Sequence, residues 1–465
     1  MGGYSRKILK TFRWMEDGLH VADRWRIVRG TMQSLMIQGG SVLLVFAGNL
    51  LLVRFSDTRA YGLYVHVFNW VSVLGVLVMG GRDDLLLAQI PRMRGNPRGV
   101  RHLVRAANRW IAVAGVATGM GWIGLLHWVR IDTLSEHEDL FRLAAVAVLL
   151  TAALSLNQIV LQALDHIRSS QVVEKLARPL LLITGILLLH VSGTLVDART
   201  LVILATGALA VCCGAAGAMG YRMLRRMPAG RNVAEGRAAG EAKEKGGVGP
   251  VGTGKKGKTT WFFLISLFYL LGTKITMLIL PVFLPAKEIG IFNISYRFAD
   301  LLIFPFFLMH TVLPQLFARH AEADRGYIQS LYSESNKLMS LLSLPLLAGI
   351  LVAGPLLLRL FGPEFSAGYP ALVYISVAQF LFALFGPANT ILMMQDRERY
   401  AAGCLFAYVA MLAGASWWLI PVAGITGGAL AILLSNAAYN VLLAVVVYRS
   451  CGVRSPFLGW MVKTR

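Results

Sequence analysis

The chain has little charge, few acidic side chains and few cysteines. Only 15% of its 465 residues are Asp, Glu, Lys or Arg, whereas such residues make up about a quarter of a soluble domain. The four cysteines show neither zinc-ligand spacing nor a disulfide framework. The sequence also lacks a nucleophile–base pair and a set of metal ligands. These absences exclude a typical soluble enzyme, and we expect no catalytic activity, no cofactor and no metal site.

The chain is instead rich in long apolar runs. Hydrophobic residues make up 56% of it, and they come in runs of roughly 18 to 25 residues, the length that a helix needs to cross a bilayer. The roughly ten-residue alternation of a membrane β-barrel is missing. The sequence therefore predicts an all-α transmembrane protein of about twelve helices. The predicted spans are 34–53, 61–80, 109–129, 140–164, 172–191, 199–221, 261–284, 289–318, 337–358, 370–394, 400–420 and 425–449.

The basic residues lie mainly in the segments between these spans. If the N-terminus is inside, 36 of the 45 Lys and Arg residues lie in inner segments and seven lie in outer ones. This bias predicts cytoplasmic N- and C-termini in a bacterial inner membrane. The net charge of +21 therefore favours contact with anionic membrane lipids and argues against a nucleic-acid partner.

Three polar segments flank or separate the spans. Residues 1–33 form a basic N-terminal segment, either an amphipathic helix on the inner membrane surface or a polar leader. Residues 450–465 form a cytoplasmic tail, and the composition of residues 222–260 predicts a disordered cytoplasmic linker. Within it, GTGKKGKT at 252–259 has the spacing of a phosphate-binding loop. It follows no strand and precedes a membrane span, which argues against a nucleotide site.

The halves on either side of the linker are related as an internal repeat. At an offset of 228 residues Gly62 aligns with Gly290, and the spans that follow keep the same order. Each half has six spans, so the two repeats run in the same direction through the membrane. This predicts two pseudo-symmetric six-helix lobes, residues 34–221 and 261–449, with a substrate path between them.

Three runs of sequence resemble those of a known family. They are YGLY with the glycine that closes its span (Tyr61–Gly80), LQALDHIRSSQVVEKLARPLLLI (Leu161–Ile183), and IGIFNISYRFADLL followed by FP and LPQLFARH (Ile289–His320). They are similar to the Wzx-type oligosaccharide and polysaccharide flippases of the multidrug/oligosaccharidyl-lipid/polysaccharide superfamily. The resemblance covers residues 34–449. It implies a MATE-like pair of lobes around an alternately opening cavity, and a polyprenyl-diphosphate-linked glycan as cargo.

Three charged residues stand out near the middle of predicted spans, where an ionisable group is costly and suggests function. Lys274 lies midway along span 7, and Arg297 and Asp300 lie midway along span 8. The i,i+3 spacing puts Arg297 and Asp300 on one helix face, where they can pair. Together the three leave one positive charge, which could hold the phosphates of a cargo. Alternatively, they form a structural ion pair between spans 7 and 8, or Asp300 couples transport to protons.

Five further residues are candidates for contact with a sugar in a central cavity. Asn69 aligns with the second-half position of Arg297, His66 lies one helical turn away, and Asn49 is deep in span 1. A sugar needs hydrogen-bonding groups and aromatic faces, which Trp70 and Tyr296 could supply. The alternative for each is packing within the helix bundle. The same choice between cavity lining and interhelical bonding applies to the other deep amides, which are Asn157, Gln158, Gln162, Gln379, Asn389, Asn436 and Asn440.

Span 8 has two further features. Pro305 and Pro314 each remove a backbone donor, so we expect this helix to kink, either as a static bend or to allow bending during transport. His310 lies near the inner mouth and is a weaker candidate for the site.

These observations predict a transporter that flips a polyprenyl-diphosphate-linked oligosaccharide by alternating access, for surface or exopolysaccharide assembly. A coupling cation, H⁺ or Na⁺, and a polysaccharide polymerase or export machinery are expected partners. One alternative is a cation-coupled small-molecule or drug antiporter of the same fold, which would favour an acidic and aromatic cavity. A second is a membrane glycosyltransferase, polymerase or acyltransferase, which would need a catalytic constellation at one interface.

Overall fold

The computed structural model describes residues 21–93, 96–128, 138–164, 166–193, 196–226, 256–306, 325–395 and 397–455. Apart from one isolated bridge between Ser56 and Val196, their regular structure is helical. The helices are α1 Val21–Phe55, α2 Thr58–Met79, α3 Arg82–Arg92, α4 Pro97–Trp128, α5 Glu138–Ala163, α6 Ile167–Gln171, α7 Arg178–Val191, α8 Ala198–Arg226, α9 Lys256–Phe283, α10 Ala286–Asp300, α11 Arg325–Arg359, α12 Tyr369–Phe385, α13 Ala388–Met394 and α14 Glu398–Cys451.

Within the described residues, nine helices are long and apolar enough to cross a membrane. The last of them, α14, contains two of the predicted spans. Gly424 interrupts it with a φ of 59°. A Cβ placed on Gly427 would lie 2.0 Å from the carbonyl oxygen of Leu419. Residues eight apart are about 12 Å apart along a straight helix, so this contact shows that the chain reverses direction at Gly424.

The two remaining predicted spans also have helices. Span 3 corresponds to α4, and span 5 to a continuous helical segment made of α6, a π-helical stretch Val172–Ala177 and α7. Within the described residues, each of the twelve predicted spans therefore has a helix, and the all-α fold class with about twelve transmembrane helices is confirmed.

Several helices extend beyond the predicted spans. Helix α4 begins at Pro97 and α11 at Arg325, each about three turns before the apolar run that it carries. The basic residues in these first turns were assigned to loops, because a loop and a polar helix can both be rich in Lys and Arg. Helix α1 likewise begins at Val21, within the predicted N-terminal segment. Residues 1–20, the phosphate-loop-like stretch up to residue 255, Pro314 and His310 lie outside the described residues.

Two predicted spans are interrupted. Helix α10 ends at Asp300 and gives way to a 3₁₀ turn, Leu301–Ile303. The predicted kink at Pro305 explains this, because proline cannot donate to the carbonyl four residues earlier. Span 10 is broken into α12 and α13 at Gly386, where φ is 72°. The sequence analysis treated that span as one helix, so the break is a correction.

The helices form two lobes, the N-lobe of α1–α8 and the C-lobe of α9–α14, which meet along α2 and α10. We call the end of the bundle at which α2 and α10 begin the Thr58 end, and the opposite end the Asp83 end. Near the Thr58 end, Leu52 and Tyr61 of the N-lobe share one apolar cluster with Ile289 and Phe292 of the C-lobe.

The closest approach of the lobes is at two glycines. A Cβ on Gly62 would lie 1.7 Å from the carbonyl oxygen of Ala286, and one on Gly290 would lie 3.2 Å from that of Thr58. At the Asp83 end each lobe has its own apolar cluster. The two lobes therefore share an apolar cluster near the Thr58 end. Toward the Asp83 end their clusters are separate, and the lobes touch where a Cβ on Gly81 would lie 3.1 Å from Phe263 of α9.

Candidate functional site

Lys274, Arg297 and Asp300 are close enough to interact electrostatically with one another. Arg297 and Asp300 do not form an ion pair within 4.0 Å, although both belong to the described part of α10. The Asp300 Oδ1 atom instead accepts a hydrogen bond of 3.1 Å from the Gln379 Nε2 atom of α12. The sequence predicted that Arg297 and Asp300 share a helix face, but the Asp300 carboxylate is hydrogen-bonded to the neutral amide of Gln379. Arg297 is thus not paired with Asp300. Its side chain contacts Tyr61 of α2, and its Nε atom is buried with no hydrogen-bond partner.

Arg297 faces the N-lobe across the seam between α2 and α10. It lies within electrostatic reach of Tyr61 and Tyr64 on α2. The rings of Tyr64 and Phe68 are adjacent, with centroids 4.9 Å apart. The guanidinium of Arg178, which belongs to the N-lobe, lies 6.0 Å from the centroid of Phe68 and close enough to Tyr64 to interact with it electrostatically. One arginine from each lobe thus flanks the same aromatic pair, and we call these four residues the arginine bracket.

Arg178 was missed by the sequence analysis because it was counted with the basic residues of the inner segment, although it lies within the predicted span 172–191. In the structure it begins α7, directly after the π-helical stretch Val172–Ala177. Lys175 within that stretch donates a hydrogen bond to Gln38 of α1. The signal available in the sequence was its position, directly before Pro179 and next to an apolar run. Short π segments occur often at functional sites.

Asn49 takes part in a hydrogen-bonded chain that crosses the seam. The hydroxyl of Tyr61 donates to the Asn49 Oδ1 atom at 2.8 Å and accepts from the Asn293 Nδ2 atom of α10 at 2.7 Å. Tyr61 is fully buried. Asn49 therefore helps to hold the lobes together at the Thr58 end, and its predicted contact with cargo stays a prediction.

His66 and Trp70 pack against aromatic rings of the N-lobe, and Asn69 is buried beside them on α2. The His66 ring lies 5.3 Å from Phe141, and the Trp70 ring lies 4.8 Å from Trp122. Both His66 nitrogens, the Asn69 Nδ2 atom and the Trp70 Nε1 atom are buried without a hydrogen-bond partner. The structure brings these three residues together but separates them from Arg297, Lys274 and Tyr296.

A cavity of about 570 Å³ lies in the C-lobe toward the Asp83 end, and Tyr296 lines it. Its walls come from α9, α10, α12, α13 and α14, and Val76 and Asp83 close one side. Seven aromatic side chains line the cavity, and the remaining polar groups are mainly amides and hydroxyls. The aromatic residues are Tyr269, Phe292, Tyr296, Phe306, Phe382, Tyr408 and Tyr439.

The charged cluster borders this cavity without lining it. Gln379 lines the cavity and binds Asp300, and its side chain also contacts Tyr296. Lys274 and Arg297 are half-buried and stand outside the wall. The arrangement offers two adjoining environments, a cationic one at the lobe seam and a neutral, aromatic one within the C-lobe. The first suits a bound anion, and the second suits an uncharged group with both apolar faces and hydroxyls.

Comparison with known proteins places this geometry in context. No protein-family model matches the chain. The teichuronic acid biosynthesis protein TuaB of Bacillus subtilis (strain 168) is 26% identical over 147 residues, and the match covers 30% of this chain and 30% of TuaB. The aligned region therefore spans less than a third of that relative.

Solved structures match over nearly the whole chain. An inward-facing multidrug resistance MATE family transporter of the MOP superfamily superposes with a TM-score of 0.65 at 12% identity, covering 86% of this chain and 92% of the transporter. The lipid II flippase MurJ, in an inward closed conformation, gives a TM-score of 0.62 at 10% identity, with 90% and 87% covered. The resemblance seen in the sequence is thus confirmed at the level of the fold: the chain is a multi-pass membrane protein with the MATE-like architecture of MOP-superfamily transporters.

Proposed function

We propose that this protein flips a polyprenyl-diphosphate-linked oligosaccharide across the bacterial inner membrane. The observation that carries the proposal is the arginine bracket, in which Arg178 and Arg297 approach one aromatic pair from opposite lobes. Lys274 adds a third cation nearby, and the one carboxylate of the cluster, Asp300, is bonded to Gln379. Two guanidinium groups and an ammonium can neutralise the negative charge of a disubstituted diphosphate, and each guanidinium can bind phosphate oxygens through two parallel N–H groups.

The charge of the cluster also favours this proposal over the antiporter alternative. A cationic drug would need a free carboxylate, whereas Lys274 and Arg297 would repel it. The relatives support a glycolipid cargo, because one is named for teichuronic acid biosynthesis and another is named a lipid II flippase. Coupling to H⁺ or Na⁺ and handover to a polymerase or export machinery stay predictions.

The mechanism follows from the unequal packing at the two ends. The excess of Lys and Arg in one set of loops assigns the Asp83 end to the cytoplasm. The lobes are closed at the Thr58 end, so the cargo would enter from the cytoplasmic side and its diphosphate would bind at the arginine bracket. Rocking of the lobes along α2 and α10 would then open the Thr58 end. The polyprenyl tail would remain in the lipid beside the seam.

The test is replacement of Arg297 by Ala in the full chain, reconstituted into proteoliposomes with a fluorescent undecaprenyl-diphosphate-linked glycan. Loss of a charge-assisted hydrogen bond costs about 1.5–3 kcal/mol, so we expect affinity for this lipid to fall roughly 10- to 150-fold. Arg297→Lys keeps the charge but not the two-pronged geometry, and we expect an intermediate loss.

The matched control is Arg359→Ala, which removes an exposed arginine at the end of α11. It should leave both binding and flipping unchanged. Surface polysaccharide in a strain that lacks its own flippase gives the same comparison in cells. Flipping by Arg297→Ala at the rate of the unmodified chain would refute the assignment of the site.

A further inference from the structure

The C-lobe cavity has the wrong charge for the diphosphate. Asp83 is the only charged residue among the described residues that line it, and none of them is Lys or Arg. Phosphate oxygens would therefore lack a cation there and would be repelled by the carboxylate. An isoprenoid chain fits poorly for a different reason. It would leave the buried Oδ1 atom of Asn389 without a hydrogen-bond donor, which is costly.

The wall combines flat aromatic faces with fixed amides. The rings of Tyr408 and Tyr439 lie with centroids 5.1 Å apart. Asn436 donates to the backbone carbonyl of Ala378 and accepts from Asn440, so its position is held from both sides. Aromatic faces bind the apolar faces of pyranose rings, while amides and tyrosine hydroxyls bind their hydroxyl groups.

One polar group of the wall has no partner in the protein. The Oδ1 atom of Asn389 is buried and accepts no hydrogen bond, and its Nδ2 atom makes only a weak contact of 3.8 Å with the sulfur of Met393. A buried carbonyl oxygen without a donor is unfavourable unless a ligand or water supplies one. A sugar hydroxyl is such a donor.

The position of the cavity agrees with the covalent structure of the cargo. Tyr296 lines the cavity and is the neighbour of Arg297, and Gln379 lines it and binds Asp300. In a polyprenyl-diphosphate-linked glycan the first sugar is bonded directly to the diphosphate. A diphosphate held at the seam would thus place that sugar at the cavity. The volume of about 570 Å³ lies within the usual range for a site that holds a compact organic ligand.

We propose that the C-lobe cavity is a subsite for the uncharged sugars next to the diphosphate, and that Tyr408, Tyr439, Asn389 and Asn436 recognise them. This subsite rests on the proposed function. It would make the C-lobe, and not the arginine bracket, the part of the protein that distinguishes one glycan from another, because the diphosphate and tail are common to all such lipids.

The test compares three lipids for binding to the full chain in nanodiscs. Two are undecaprenyl diphosphates that carry one hexose or one N-acetylhexosamine, and the third is undecaprenyl diphosphate without sugar. The variants are Asn389→Ala and Tyr408→Leu, with Tyr408→Phe to remove the hydroxyl alone. Asn389→Ala should fold normally because the Oδ1 atom that it removes has no partner. Trp418→Leu is the control, because Trp418 lies on the same helix as Tyr408 but is 78% exposed on the outer surface of the bundle.

We expect the unmodified chain to bind at least one sugar-bearing lipid more tightly than the sugar-free one. Asn389→Ala should weaken binding of that lipid roughly three- to tenfold, which is the contribution of one neutral hydrogen bond. Binding of the sugar-free lipid should not change. Equal weakening of all three lipids would assign the cavity to the tail and overturn the proposal. Equal affinities of the unmodified chain for all three would also overturn it. If the unmodified chain binds none of the three lipids, the proposed function is refuted. If Arg297→Ala abolishes binding of all three lipids, the proposed function is supported, and the effect of Asn389→Ala then tests the subsite.

Discussion

The glycine crossing between the lobes offers the sharpest prediction. Gly62 on α2 and Gly290 on α10 let the two backbones meet, and a Cβ on Gly62 would lie 1.7 Å from the carbonyl oxygen of Ala286. That oxygen belongs to the backbone, so a change of side-chain rotamer cannot relieve the clash. Gly62→Ala should therefore force the lobes apart at the Thr58 end.

The size of the effect follows from the geometry. Ordinary contact begins at 3.4 Å, so the helices would have to separate by roughly 1.7 Å at the crossing. Overpacking of this kind costs about 1–3 kcal/mol. The cost applies only where the lobes are closed at the Thr58 end, so it should shift the ratio of closed to open states by about 5- to 150-fold.

Cross-linking measures this shift directly. Asp57 and Lys287 lie on opposite lobes at the Thr58 end and within electrostatic reach of each other. In a chain without the four native cysteines, Asp57→Cys and Lys287→Cys should cross-link rapidly with a short bifunctional reagent, and Gly62→Ala should slow the reaction. Gly207→Ala is the control, because a Cβ there meets nothing within 4 Å. An unchanged cross-linking rate together with an unchanged melting temperature would refute the close approach at Gly62.

Two further substitutions test the seam and the reversal of α14. Tyr61→Phe removes the hydroxyl between Asn49 and Asn293 and should lower the free energy of unfolding by about 1–3 kcal/mol; a denaturation midpoint equal to that of the unmodified chain would show that the bonds carry little energy. Gly424→Ala imposes a side chain at a φ of 59° and should cost about 1–3 kcal/mol. Gly414→Ala, at an open position of the same helix, should cost nothing measurable, and equal melting temperatures for both alanine variants would contradict the reversal at Gly424.

The apolar runs predicted the spans well because the bilayer fixes both the length and the composition of a crossing helix. Composition could not show where those helices end outside the bilayer. The first three turns of α4 contain Arg98, Arg101 and Arg105, and arginine is a good helix former as well as a common loop residue. Helix ends in water therefore remained ambiguous, whereas the ends at Gly80 and Gly424 were set by positive φ angles.

The candidate site was predicted in part, for a related reason. Periodicity assigns a residue to a helix face, so it placed Arg297 and Asp300 together, but it does not name the partner that packs against that face. The partner of Asp300 is Gln379, 79 positions away in sequence. The same limit applied to Trp70, whose indole packs on Trp122 in the N-lobe. Tyr296 does line the cavity.

The π-helical stretch Val172–Ala177 has a consequence for the spacing of the chain itself. A π turn accommodates one residue more than an α turn, and one residue corresponds to about 100° of rotation about the helix axis. The stretch thus sets the angle between Lys175, which is bonded to Gln38, and Arg178, which lies by Phe68. Deletion of a single residue here would convert the stretch to a regular α-helix but turn one of these side chains away from its neighbour. The length of this segment is therefore as constrained as its composition.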